Sequence, residues 1–97
     1  MNYIVIAVIE VLEEFKSDFL KALDTIVAKS QAEPGCISYI PHQNSGNANS
    51  IFIYEKYRQE SDYLEHKSST YLAEFAALVG PMLSTATVVY RGTEYVS

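Results

Sequence analysis

The chain predicts an α+β fold in the order β-α-β-β-α-β, an antiparallel four-stranded sheet with two helices on one face. Three observations predict it. Hydrophobic spacing runs from a β-branched stretch to a helical period, through two strand-like stretches, to a second helical period and a last β-rich run. Pro34-Gly35, the polar stretch Gln43–Ser50 and Gly80-Pro81 punctuate those changes. The 97 residues are the length of one domain, 1–97, with a single small core.

Tyr3 to Leu12 is dense in β-branched residues and apolar at almost every position, as in a strand buried on both faces. From Glu13 to Ala32 the period changes. Phe15, Phe19, Leu23, Ile26, Val27 and Ser30 recur at three- and four-residue steps, with Lys16, Asp18, Lys21, Asp24 and Lys29 on the other side, which predicts an amphipathic helix. Pro34-Gly35 stops it. Cys36 to His42 reads as a second strand, with Pro41 confining it to an edge or an end.

Gln43 to Ser50 is a polar turn joining hairpin strands, and Ile51 to Tyr57 alternates. Ile51, Ile53, Glu55 and Tyr57 face one way; Phe52, Tyr54 and Lys56 face the other. A second helix is expected from an N-cap at Ser61, with Tyr63, Leu64 and Lys67, then Tyr71, Leu72, Phe75, Leu78 and Val79 along its stripe. Gly80-Pro81 closes it, and Thr85 to Val96 supplies a fourth strand with a bulge expected at Gly92. This is the split-βαβ, ferredoxin-like arrangement. Two helices cover one face of such a sheet, yet the first strand is apolar on both. The second face therefore predicts a homodimer closing a barrel between two sheets.

Composition narrows the function. A net charge of −5 with scattered Lys and Arg argues against nucleic acid as a partner. One cysteine, Cys36, allows no internal disulfide and fits a reducing, cytoplasmic setting. The apolar start is broken by Glu10, Glu13 and Glu14 and lacks a basic leader, so no signal peptide is expected, and no run reaches a membrane span. Eight Tyr and four Phe exceed what a small core absorbs, so some rings are expected at a cavity or an interface. No spacing of His, Cys, Asp and Glu suggests a metal, and no Gly-rich loop suggests a nucleotide cofactor.

The most specific stretches are Glu33-Pro34-Gly35-Cys36-Ile37-Ser38-Tyr39, then Phe52-Ile53-Tyr54-Glu55-Lys56-Tyr57, then His66 with its Ser68-Ser69-Thr70-Tyr71 tail. Over nearly the whole chain they resemble the antibiotic biosynthesis monooxygenase (ABM) domain family. The resemblance implies a dimeric α+β barrel that binds a small aromatic or quinone-like molecule between sheet and helices. It also implies, for several members, oxidation by molecular oxygen with no metal or flavin. Other members degrade haem or isomerise a phosphorylated signalling molecule, autoinducer-2. Here Tyr57 stands where many members carry Trp, and no interior Asn lies on the first strand, which argues against haem degradation. Tyr54-Glu55-x-Tyr57 with His66-Lys67 and Tyr71-Leu72 looks close to the isomerase branch.

His66 is the leading proton acceptor, since imidazole titrates near 6.5 in ordinary surroundings. The competing reading is a histidine that ties the helix to the sheet through a backbone carbonyl. Glu55, set between apolar neighbours, must be paired or have a raised pKa. It would orient His66 or carry a second proton; otherwise it accepts structural hydrogen bonds. Tyr57 joins them as a catalytic candidate, and Tyr54, Tyr63 and Tyr71 as substrate-binding candidates, against the reading that these rings are core. Cys36 and His42, six residues apart on one strand face, form a weaker nucleophile–base candidate. The expected function is a cofactor-independent monooxygenase of a small quinol-like or phenolic substrate. The rivals are an isomerase of a small hydroxyketone, with Lys56, Lys67 or Arg91 holding a phosphate, and a non-catalytic ligand-binding or stress-response module.

Overall fold

Strand β1 (Tyr3–Glu10) lies inside a four-stranded antiparallel sheet in the computed structural model, which describes residues 1–95. It pairs with β3 (Asn47–Tyr57) on one side and β4 (Val88–Thr93) on the other, and β2 (Cys36–Asn44) forms the far edge, giving the order β2-β3-β1-β4. That is the predicted ferredoxin-like topology. Alternation sorts β1 into two apolar sets. Tyr3, Val5, Ala7 and Ile9 are buried beneath the helices, while Ile4, Ile6 and Val8 turn to the uncovered face.

Helix α1 (Lys16–Gln31) follows a short 3-10 turn and buries Phe19, Leu23, Ile26 and Ser30. The three apolar side chains pack with Ala7, Ile9, Ile51 and Ile53 in the main core, each worth about 1.5–3 kcal/mol by removal from water. Pro41 sits on the edge strand β2, as expected for a residue without an N–H. The polar stretch after it is mostly strand, not loop. β2 runs to Asn44 and β3 starts at Asn47, and the Asn44 side-chain oxygen accepts from the Gly46 N–H at 2.8 Å to tighten the turn.

The second helical stretch is two helices, α2 (Glu60–Lys67) and α3 (Thr70–Val79). Ser69 breaks them apart. Its backbone is extended, its hydroxyl donates to the His66 carbonyl at 2.7 Å and accepts from the Leu72 N–H at 3.4 Å, so one side chain ends α2 and caps α3. Ser61 is not the cap expected of it: Gln59 occupies that position without a side-chain bond. The break has a consequence for the site, because it leaves His66 on the last turn of a short helix separate from α3.

Strand β4 is shorter than the predicted Thr85–Val96, and Val96 lies outside the described residues. Its register with β1 is unbroken through Ile4 opposite Gly92, so the bulge expected there does not form. On the uncovered sheet face Ile6, Ile40, Val88 and Tyr90 are exposed and Phe52 and Tyr54 half-buried. No helix among the described residues is long and apolar enough to cross a membrane.

Candidate acid–base site

The two-residue alternation of β3 brings Ile53, Glu55 and Tyr57 to the helix side of the sheet, all nearly or wholly buried. Glu55 is 4% exposed, and the Tyr57 hydroxyl, two residues on, donates to its Oε1 at 2.7 Å. Burial pushes the Glu55 carboxyl up to about 7; the Tyr57 hydrogen bond opposes this and the charge of Glu33 adds to it. The hydroxyls of Tyr39, Tyr57 and Tyr63 are pushed up as well, first by burial and then chiefly by Glu55, and so stay protonated donors.

His66 hangs from the last turn of α2 over this carboxylate and is 3% exposed. Its Nε2 lies 4.0 Å from Oε1 of Glu55, beyond a hydrogen bond. Its Nδ1 lies 3.0 and 3.2 Å from the two carboxylate oxygens of Glu33, in the turn after α1. An ionised carboxylate only accepts, so these contacts are hydrogen bonds when Nδ1 is the nitrogen that carries a proton. The ring is held between aromatic neighbours, with centroids 5.4 Å from Tyr39, 5.7 Å from Tyr57, 6.3 Å from Tyr63 and 6.5 Å from Tyr71.

Glu55 and His66 open on a cavity of about 280 Å³ between the sheet and helices α2 and α3. Its walls are otherwise largely apolar, with Ile9, Leu72, Phe75 and Val89 among them, and Tyr39 and Tyr63 present the hydroxyl-bearing rings. Such a space suits a flat, weakly polar molecule, with the polar groups setting its orientation.

Of the six residues expected at the site, His66, Glu55 and Tyr63 line the cavity. Tyr57 does not; it stands behind Glu55 and reaches the space only through the hydrogen bond to that carboxylate. Tyr71 lies on the outer side of His66, in grooves on the helix surface, with the Lys29 ammonium 5.8 Å above its ring. It is partly buried against the main core and does not line the cavity. Tyr54 does not line the cavity either: it pairs with Ile6 and Ile40 on the uncovered face, one residue out of phase with Glu55.

The Cys36–His42 pairing fails for a related reason. An irregularity between Cys36 and Ser38 shifts the β2 register, so Cys36 faces the helices opposite Tyr57 while His42 stacks on Phe52 on the uncovered face, 5.1 Å between centroids. Burial, Glu33 and Glu55 push the thiol up to about 11, so it is no thiolate at neutral pH. Of the expected phosphate-holding cations, Lys67 lines the cavity; Lys56 pairs with Glu94 at 3.4 Å and Arg91 with Glu60 at 3.2 Å.

Two site residues escaped the sequence reading. Glu33 and Tyr39 both lie in the first of the specific stretches, so the signal was present, but nothing in their spacing shows that they meet a histidine 33 and 27 residues away. Gly35 makes the meeting possible. A Cβ there would come within 2.2 Å of the Asp62 side chain, so only glycine lets α2 close onto the turn. Among the described residues, no group of three or more His, Cys, Asp or Glu side chains is disposed to hold a metal ion.

Fold and site define a small α+β protein with an apolar cavity furnished at one end with acid–base groups. The chain belongs to the family described as antibiotic biosynthesis monooxygenase, which matches residues 2–78. It is 31% identical to the Synechocystis protein sll1783 over 69% of this chain and 46% of that protein. It is 30% identical to a Mycobacterium tuberculosis protein named "Putative monooxygenase Rv0793", over 69% of this chain and 65% of the other. The chain thus spans about half the length of the first and just under two thirds of the second in these matches. The solved structure of Rv0793 superposes with a TM-score of 0.92 at 24% identity, covering 100% of this chain and 98% of that one. A conserved Methanosarcina mazei protein gives 0.94 at 21% identity, covering 98% and 94%. At these identities the structural likeness speaks for the fold alone.

Proposed function

We propose that the protein is a cofactor-independent monooxygenase of a small quinol-like or phenolic molecule, with His66 as proton acceptor. The observation that carries this reading is the His66 Nε2 edge, 4.0 Å from a Glu55 carboxyl that titrates near neutrality, at the wall of an apolar cavity. Family membership at the level of monooxygenase supports it.

A phenol bound in the cavity gives its hydroxyl proton to Nε2. The resulting anion transfers an electron to molecular oxygen, and the radical pair couples to a peroxide on a ring carbon. Loss of water then leaves a carbonyl at that carbon. One oxygen atom enters the product and the other leaves as water carrying the hydroxyl and ring protons; the substrate supplies all four electrons. Glu55, partly protonated at pH 7, is placed to hand a proton to the departing oxygen. Tyr57 acts through Glu55 by hydrogen bonding to it. The apolar walls keep bulk water from the anion.

The same two groups could move a proton between neighbouring carbons of a hydroxyketone. A phosphorylated substrate would then rely on Lys67, the one Lys or Arg of the described residues that lines the cavity. The apolar walls favour the first reading over this one; the acid–base pair of His66 and Glu55 is what favours an enzyme over a binding module. We also propose a homodimer through the uncovered sheet face, where Ile6, Ile40, Val88 and Tyr90 stand exposed, in a reducing cytoplasmic setting.

Oxygen uptake with a panel of quinols and naphthols tests the reading directly. Substrate-dependent uptake with one oxygen atom per product, lost in His66→Ala, is the expected result. No uptake with any member, alongside turnover of hydroxyketones, would transfer the site to the isomerase.

A further inference from the structure

His66 separates two spaces. On its Nε2 side lies the apolar cavity; on its Nδ1 side lies a groove at the surface lined by Glu33, Gly35, Asp62, Glu65 and Tyr71. Glu33 stands at that boundary with 18% of its side chain exposed, and both its oxygens are within hydrogen-bond reach of Nδ1.

The segment that carries Glu33 is braced on both sides. Its N–H donates to the Ser30 carbonyl at 3.1 Å, its carbonyl accepts from Cys36 at 3.1 Å, and the Gly35 carbonyl accepts from Arg58 at the end of β3 at 3.0 Å. The close approach of Asp62 to Gly35 seats α2 on this turn. From the other side Ser69 fixes the backbone of His66 through its carbonyl. Tyr39 and Tyr57 flank the ring, with centroids 5.4 and 5.7 Å away.

A neutral imidazole can hold its proton on either nitrogen, and the partner of one nitrogen decides the state of the other. A base facing the cavity needs a lone pair on Nε2. We propose that Glu33 is the positioning residue of the site: its carboxylate keeps the proton of neutral His66 on Nδ1, leaving Nε2 free toward the cavity, and supplies the counter-charge once Nε2 is protonated. The inference rests on the proposed role of His66 as proton acceptor.

Two kinds of measurement test it. In protein labelled with nitrogen-15 on histidine, at a pH where the ring is neutral, the wild-type His66 signals should be those of an Nδ1–H tautomer. Glu33→Ala should move them toward Nε2–H, and Glu33→Asp should keep them. In steady-state oxygen uptake, Glu33→Ala should lose on the order of 10²-fold in kcat with KM within about threefold, and Glu33→Asp should recover much of it. Glu33→Gln, whose amide oxygen can still accept from Nδ1 but carries no charge, should keep the tautomer and still lose kcat.

An Nε2–H tautomer in the wild type would overturn the proposal whatever the activity, and so would full kcat in a folded Glu33→Ala protein whose wild-type parent depends on His66. If the tautomers behave as expected but His66→Ala retains turnover, the proposed reaction fails instead. The wild-type spectrum needs no variant to fold.

Discussion

The Tyr57 hydroxyl donates to Oε1 of Glu55 across 2.7 Å, between two residues on the same face of one strand, with both side chains almost wholly removed from water. This pair sets the acid side of the site. Burial lifts the Glu55 carboxyl from its ordinary 4.5 to about 7, and the folded chain therefore holds a proton that the unfolded chain releases. Stability falls as pH rises through that window and stays lower above it, by up to about 3 kcal/mol from this group. Glu55→Gln, which cannot ionise, should lack the decline. Urea denaturation at pH 5 and pH 8 should show the variant gaining on the wild type at the higher pH; parallel curves would place the titration elsewhere.

Tyr57→Phe keeps the ring and deletes the donor. The hydrogen bond favours the charged carboxylate, so its loss should raise the Glu55 titration further. The cost in stability should be about 1–2 kcal/mol. Infrared difference spectra of the carboxyl stretch against pH measure the titration. A midpoint that stays in place or falls would contradict the coupling.

His66→Ala should abolish turnover by at least about 10²-fold if the ring is the proton acceptor. The ring also fills space among Tyr39, Tyr57 and Tyr63, so a loss of stability is expected beside it. Far-ultraviolet circular dichroism separates the two. Full activity in the folded variant would remove His66 from the mechanism.

Gly35→Ala places a methyl group within 2.2 Å of the Asp62 side chain. The start of α2 must move away, carrying His66 from Glu33. A destabilisation of about 1–3 kcal/mol is expected, with a loss of kcat larger than the stability change explains. Unchanged melting and unchanged kcat would show that α2 can shift without cost.

The uncovered face of the sheet should join two copies. Sedimentation at micromolar concentration should give a dimer, and Ile6→Arg, at the middle of that face, should give a monomer. A wild-type monomer at that concentration would refute the barrel.

Periodicity read the elements well where one pattern governs one element. The run from Tyr3 and the helical stripe through Phe19, Leu23 and Ile26 are examples, because burial of one face is written at every turn. It failed where a single side chain decides. Ser69 divides the second helix by hydrogen bonds to His66 and Leu72 that no hydrophobic count detects. The register shift after Cys36 sends His42 to the opposite face, which spacing alone predicts wrongly.

What the sequence by itself determined is the order of elements, the family, and the inward set of β3, Ile53, Glu55 and Tyr57, since a period of two follows from covalent geometry. The tertiary structure decided which proton-handling groups meet. Glu33 and His66 are 33 residues apart and come to 3.0 Å only because α2 closes on a turn that lacks a Cβ at Gly35. Tyr71, five residues from His66, belongs to a separate helix capped by Ser69 and does not line the cavity. Contacts between elements depend on how whole elements tilt and approach, and that information is spread over the packing of the core.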